Sequence, residues 1–473
     1  MEPSKPSDVY DRDAEWRTLA TLWGRRRPQL VFVLGRRRVG KSFVLSRFAR
    51  EVGGLYYQAT KRTEAEQLLQ LTRLVGERFD DPALRQGVAF PSWERLLDYL
   101  TERTQNRSFL LVLDEFPYLV SATPALPSIL QKSWDHPWAD GRFKLVLSGS
   151  FVTAMRALEG PDQPLYGRRT SRLFFGPFSF ADARAFLPEY GIREQLEAYA
   201  VFGNLPGNLA ILDPKVSLTE NIGEALLDPS GPLVDNAQHM LDAFLADARI
   251  HYSILEAISL GEQTWSGITK RVGQTGGSLL RPLRWLEDMG LVERIVPMTE
   301  KAPQRSKRAL YRISDPYVTF WHREIAPLLQ AGSIGLVPPH RLWKESIAPR
   351  LSSHVGPVFE EVCRQFVRHT ERLPIHPMRV GEWWDPHSQN QVDIVAVDAH
   401  GDLLVGECKC GAVTREDLSA LRTRAGLIAA ELGGAPRVHL ALFSAWGQAD
   451  KSVRAAVNAG QALWFTAADV AHP

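Results

Sequence analysis

Cysteine is scarce in this chain, with only Cys363, Cys408 and Cys410 among 473 residues. That is too few for a disulfide framework and one short of a four-cysteine zinc site. An excess of one charge is also missing. The 56 Lys and Arg against 54 Asp and Glu leave a net of +2, so any charged partner surface must arise from local clustering. No apolar run approaches the ~18 residues of a membrane-spanning helix. The opening Met1-Glu2-Pro3-Ser4-Lys5-Pro6 lacks the apolar stretch of a secretion signal. These absences predict a soluble protein of a reducing compartment, the cytoplasm, with no membrane partner. Core-forming residues are plentiful, 44% hydrophobic with 13 Trp and 21 Phe, and the length suggests about three domains of ~150 residues each.

The densest signal is Leu30-Val31-Phe32-Val33-Leu34 followed by Gly35-Arg36-Arg37-Arg38-Val39-Gly40-Lys41-Ser42. The apolar run bounded by glycine reads as a buried parallel strand. The residues from Phe43 onward have helical spacing, so the pattern GxxxxGKS lies in strand–loop–helix context. Phosphate binding needs that order. Successive loop N–H groups face one concavity, and the helix adds the positive end of its dipole. Lys41 is placed to reach the β- and γ-phosphates of ATP, and Ser42 to ligate Mg²⁺. The bland alternative is an ordinary glycine-rich turn.

Two further strands supply the other half of such a site. Phe109–Leu113 ends in Asp114-Glu115; there one carboxylate holds Mg²⁺ and the next polarises water, unless the pair only caps a strand. Phe143–Leu147 ends in Ser148-Gly149-Ser150, whose hydroxyls suit sensing of the γ-phosphate, although such a triplet is often a plain loop.

These residues resemble the archaeal-type ATPase family of the AAA+/STAND lineage. The resemblance takes in Tyr10-Asp11-Arg12-Asp13-Ala14-Glu15, GRRRVGKS, LDEFPYL at 113–119 and LSGS at 147–150. It also takes in Leu165-Tyr166-Gly167-Arg168-Arg169-Thr170 and Gly203-Asn204-Leu205-Pro206-Gly207, where Asn204 stands at the family's second glycine. It implies an ATP-contacting set of Gly35 to Phe43 with Ser148, Ser150 and Pro206, and metal contacts from Ser42 and Asp114. Glu115 is then the catalytic glutamate. Arg168 or Arg169 would stabilise γ-phosphoryl charge in cis or from a neighbouring subunit of a nucleotide-dependent homo-oligomer, the alternative being a solvated arginine pair.

The implied fold class is α/β. A P-loop parallel sheet over 1–180 precedes a helical lid over 181–240, and a winged helix over 241–328 precedes a restriction-endonuclease-like domain over 340–473. The winged-helix reading rests on three helices (Tyr252–Ser259, Trp265–Val272, Leu279–Met289) and a hairpin of residues 291–296 with 309–313. Arg281 and Arg284 on its third helix, with Lys301, Arg305, Lys307 and Arg308 in the wing, suit nucleic-acid phosphates, DNA rather than RNA. The alternative is a lever packed on the ATPase, with a wing basic only for solubility.

Beyond the Gly/Pro-rich residues 330–339, Glu360 lies on an amphipathic helix, Asp393 opens a strand, and Gly406-Glu407-Cys408-Lys409-Cys410 carries Glu-x-Lys. Strand alternation puts Glu407 and Lys409 on one face and both cysteines on the other. Together these resemble the PD-(D/E)xK nuclease superfamily, as Gly381-Glu382-Trp383-Trp384 resembles the ATPase family's C-terminal domain. That resemblance implies Mg²⁺ or Mn²⁺ on Glu360, Asp393 and Glu407, with Lys409 acting on water. The functional expectation is an ATPase whose nucleotide state controls a nuclease-like domain in defence or repair. The alternative is a STAND-type switch whose last domain only binds nucleic acid or protein.

Overall fold

The computed structural model describes residues 3–472 apart from 105–106, 140, 243–244, 246, 275 and 435–436. The chain divides into two compact units, one ending at Pro177 and one beginning at Phe178.

The first unit is organised by a parallel sheet of β1 (Gln29–Leu34), β2 (Leu55–Gln58), β3 (Phe109–Asp114), β4 (Phe143–Gly149) and β5 (Ser171–Phe174). Its spatial order is β2-β3-β4-β1-β5. The three central strands are buried along their whole length, which explains why they read as unbroken apolar runs and not as alternation. β2 and β5, absent from the strands expected above, are four-residue edges with exposed positions. On one face Phe32, Leu111, Leu113, Leu145 and Leu147 pack with Leu71, Trp93, Leu97 and Trp138. Trp138 stacks on Phe143 with centroids 4.0 Å apart. Each such side chain contributes about 1.5–3 kcal/mol by leaving water. The order brings the ends of β1, β3 and β4 together, with β1 next to β4 and β4 next to β3.

The segments expected at 181–240, 241–328 and 340–473 all lie in the second unit. Helix Ile192–Phe202 ends at Gly203 and is followed by the short helix Pro206–Leu209. Helices Arg249–Ser259, Trp265–Val272 and Gly276–Asp288 then precede the antiparallel pair β6 (Val292–Ile295) and β7 (Leu310–Ile313). The third helix starts ahead of the expected Leu279 and carries Pro282 in its interior; a proline there removes one backbone hydrogen bond without ending the helix. Helix Leu351–His369 leads into β8 (Arg379–Trp384), β9 (Gln391–Val397) and β10 (Leu403–Lys409), which pair antiparallel. Helix Arg415–Glu431 crosses to β11 (Val438–Ser444), and helix Lys451–Asn458 to β12 (Leu463–Thr466), both parallel additions. The result is a mixed sheet of order β12-β11-β10-β9-β8.

The hairpin β6/β7 is fastened to β8 by charge. Arg312 forks onto Glu382 with contacts of 2.5 and 2.9 Å, and the Met298 N–H donates to the Glu382 carbonyl at 2.8 Å. Arg364, 2% exposed, approaches Glu382 at 3.1 Å and Glu361 at 2.8 Å. Removing one member of such a buried set costs about 3–5 kcal/mol, because a charge is left uncompensated.

Gly203 packs directly against the start of a later helix. Its φ is +80°, and a Cβ there would stand 2.3 Å from Asp315 Oδ1 and 3.1 Å from the Tyr317 nitrogen. Asn204 Nδ2 donates to the Ser314 carbonyl at 3.0 Å. The segment 203–207 and the Asp-Pro-Tyr start of helix Pro316–Phe320 are therefore one packed joint. Gly203→Ala should lower stability by about 3 kcal/mol through strain and overpacking. Thermal denaturation checks this, and an unchanged midpoint would contradict the joint.

Candidate functional site

The loop after β1 is shaped by three residues with positive φ: Gly35 (+157°), Arg38 (+67°) and Gly40 (+90°). At Gly35 a Cβ would meet the Phe175 carbonyl at 2.4 Å, so no side chain fits where the loop leaves the strand. Arg12, 5% exposed, fixes the loop from behind. Its guanidinium donates to the Val39 carbonyl at 2.9 Å and the Gly176 carbonyl at 2.7 Å. Asp11 and Arg12 both have positive φ, 49° and 57°, a strained turn that places this guanidinium.

Lys41 opens helix Lys41–Glu51. Its ammonium donates to the carbonyls of Gly35 (2.7 Å) and Arg36 (3.0 Å) and to Ser150 Oγ (3.0 Å). Ser150 in turn donates to Glu115 through its hydroxyl, and through its N–H at 3.0 Å. Glu115 holds a left-handed conformation, φ 51°, which aims it back across the strand ends. Asp114 is wholly buried; its Oδ1 accepts from the Glu115 N–H at 3.0 Å and its Oδ2 from the Tyr56 hydroxyl at 2.7 Å. Lys41, Asp114, Glu115 and Ser150 thus meet at one point. Ser148 is buried in β4, and among the described residues its hydroxyl has no hydrogen-bond partner; it is Ser150 that contacts both Lys41 and Glu115. A Cβ-free turn beneath Gly35, a buried ammonium and a carboxylate behind it suit a magnesium-bound triphosphate. Phe43 is 43% exposed beneath the Arg47 guanidinium at 4.6 Å.

The remaining nucleotide candidates are placed differently. Arg168 forks onto Asp135 at 2.8 and 2.7 Å, and Arg169 shares Glu159 with Arg172. Among the described residues neither has a hydrogen bond or ion pair to Lys41, Glu115 or Ser150. Both are tied to acids of their own unit. Pro206 begins helix Pro206–Leu209 in the second unit.

Residues 9–212 match the family model of an ATPase domain predominantly from Archaea. Residues 321–421 match a second model, described as archaeal and bacterial proteins of unknown function. An uncharacterized protein of Methanocaldococcus jannaschii is 25% identical over 392 residues, 82% of this chain and 84% of that one. Among solved structures, a Walker-type ATPase of Pyrococcus abyssi is similar with a TM-score of 0.53 and 21% identity. That likeness covers 68% of this chain and 98% of the other, and it shows a shared fold. The Aeropyrum pernix ORC2 protein, solved as ADPNP and ADP complexes, aligns at a TM-score of 0.43 and 17% identity over 70% of this chain and 97% of that one.

Outside the ATPase domain, the C-terminal acids fall on the expected elements. Glu360 is on helix Leu351–His369, Asp393 on β9, and Glu407 and Lys409 on β10. They are close enough to interact electrostatically. Burial first, and then Asp393, raises the pKa of Glu360; burial first, and then Glu407, raises that of Asp393. Two of these carboxylates are engaged elsewhere. Glu407 binds Lys409 at 2.7 Å and Arg424 at 3.0 Å, and Asp393 Oδ2 accepts from the Cys408 N–H at 2.8 Å. Among the described residues no three His, Cys, Asp or Glu side chains are grouped to hold a metal ion. The expected ligand set Glu360, Asp393 and Glu407 therefore has the right chemistry but does not fit a cation in this arrangement. Burial works against the Lys409 charge, but Glu407 outweighs it and the pKa stays above the ordinary lysine value. Cys408 is buried as expected, whereas Cys410 is half-exposed.

In the three-helix segment Arg281, Arg284 and Lys307 are exposed. Arg308 is not available to phosphate: it pairs with Glu431 at 3.2 Å and donates to the Trp384 carbonyl. Tyr56, Arg364 and Arg424 are site neighbours that sequence reading missed. Tyr56 sits in an edge strand too short to register, and the two arginines look like ordinary helix-surface charge until the sheet packs on them.

Lys41 gives the ATPase site a pH dependence. Burial pushes its pKa down to about 8 against the opposing pull of Glu115 and Asp114. Phosphate binding needs the ammonium, so ATP affinity should fall above pH 8 by up to about tenfold per unit. Stability without nucleotide should move the other way. The unfolded lysine holds its proton up to 10.5, so the folded chain gains between 8 and that value. Binding titrations from pH 7 to 9 test this, with Lys41→Arg as the always-charged reference; a flat wild-type profile would contradict it.

Proposed function

We propose that this chain is an ATP-binding and ATP-hydrolysing switch, with nucleotide in the N-terminal unit governing nucleic-acid or protein docking by the C-terminal one. The observation that carries it is the convergence of Lys41, Asp114, Glu115 and Ser150 at the ends of β1, β3 and β4. When bound, Mg²⁺ draws negative charge from the transferring phosphoryl group. The chain's own residues do the rest. Loop N–H groups and Lys41 bind phosphate, Ser42 and Asp114 serve the cation, and Ser150 holds Glu115 where it can orient water. Pro206 as an ATP contact, and an arginine from Arg168 or Arg169 supplied in trans, extend this reading to a homo-oligomer.

Lys41→Ala should abolish ATP binding. Glu115→Gln should keep binding and slow hydrolysis by about 10²-fold or more, since only water activation is lost. Equal loss of affinity in both variants would contradict these roles.

The three helices and hairpin are read as a winged helix whose DNA contacts come from Arg281, Arg284 and Lys307, exposed on one helix face and in the wing. Neutralising all three should flatten the salt dependence of DNA binding by roughly one slope unit per contact. Arg308→Gln should leave that slope unchanged and lower the melting temperature. An unchanged slope in the triple variant would return this segment to the lever reading.

For the C-terminal domain, docking is favoured by the ion pairs that engage both oxygens of Glu407. Cleavage is the second reading, favoured by the helix–three strands–helix–strand order and by the nearness of Glu360 to Asp393, whose charge raises the Glu360 pKa after burial does. Plasmid and RNA incubated with the chain and Mg²⁺ or Mn²⁺, with and without ATP, decide between them. The docking reading expects shifted mobility without cutting. Cutting that disappears in Asp393→Ala would overturn it.

A further inference from the structure

Tyr56 lies on β2 two residues before Gln58, which is paired in register with Asp114 of β3. Side chains alternate along a strand, so Tyr56, Gln58 and Asp114 share one sheet face. Two strand residues span about 6.6 Å, roughly the reach of a tyrosine. The hydroxyl accordingly arrives at Asp114 Oδ2, at 2.7 Å. A neutral phenol is a donor at every physiological pH, so one uncharged hydroxyl fixes the carboxylate that the ATP reading assigns to magnesium. The neighbouring Tyr57 faces the other way and binds Gln67 and Gln70.

We propose that Tyr56 is a positioning residue for the metal half of the nucleotide site, donating its proton to Asp114 Oδ2 and so fixing that carboxylate's orientation. The unused lone pairs of Asp114 are then free for the cation and its water. Hydrogen bonds of this outer kind set ligand orientation, and their removal typically costs 10–100-fold in metal affinity. The inference rests on the ATP reading and adds a residue which neither phosphate nor metal touches directly.

The test is binding of a fluorescent ATP analogue to the full chain, first without divalent cation and then across a Mg²⁺ titration. Tyr56→Phe keeps the ring and should keep the metal-free affinity and the melting temperature, while the Mg²⁺ concentration for half-maximal gain rises about tenfold. Tyr57→Phe should match wild type in all three. An unchanged or lower Mg²⁺ requirement in Tyr56→Phe would overturn the assignment while leaving the ATP reading intact. So would a loss of affinity that is equal with and without Mg²⁺, since that marks packing alone. A wild-type chain that binds no nucleotide would instead remove the ATP reading on which the inference rests.

Discussion

A buried ammonium needs oxygen atoms around it, and Lys41 finds them on the loop that surrounds it. Its donors point at the Gly35 and Arg36 carbonyls and at Ser150. This is a satisfied arrangement, but oxygens of a phosphate match the same donors with negative charge as well. The rest of the first unit follows from keeping this point fixed. Glycine at 35 allows the loop to turn against Phe175, Arg12 anchors Val39, and the buried strands hold Asp114 and Glu115 opposite. A substitution in this shell changes where a phosphate can sit without touching it.

Legibility in the sequence followed burial. β1, β3 and β4 carry the apolar runs expected and could be read directly, as could helix Trp265–Val272, found at its expected residues. β2 and β5 were not legible, because edge strands of four residues need no continuous apolar run. Tyr56 was lost with β2, and with it the contact to Asp114. Loop motifs told which residue types meet, and the sheet order decided which of them meet first: Ser150 and not Ser148 engages Lys41. Arg168 and Arg169 show the opposite limit. An arginine pair on a loop has no periodicity to reveal its partner, and both are held by acids.

The second unit shows how charge in a sequence can mislead. Arg308 was expected at phosphate, and Arg364 and Arg424 look like helix-surface charge, yet each of them, like Arg312, is engaged by a carboxylate. Three of these ties involve Glu382, Glu407 or Glu431, residues of the last sheet and its crossover helix. The hairpin β6/β7 is consequently part of the C-terminal assembly through Arg312 and Glu382, and no loose wing. The same economy of acids leaves Glu407 paired with two cations, Lys409 and Arg424.

The central claim is that the Lys41 point is built for a triphosphate. A crystal structure of the full chain with a non-hydrolysable ATP analogue and Mg²⁺ tests it most directly. The account predicts that the Lys41 ammonium leaves the Gly35 and Arg36 carbonyls and contacts the β- and γ-phosphates, with Ser42 on the cation. Lys41 still bound to those carbonyls, with nucleotide absent from the loop at saturating concentration, would contradict it.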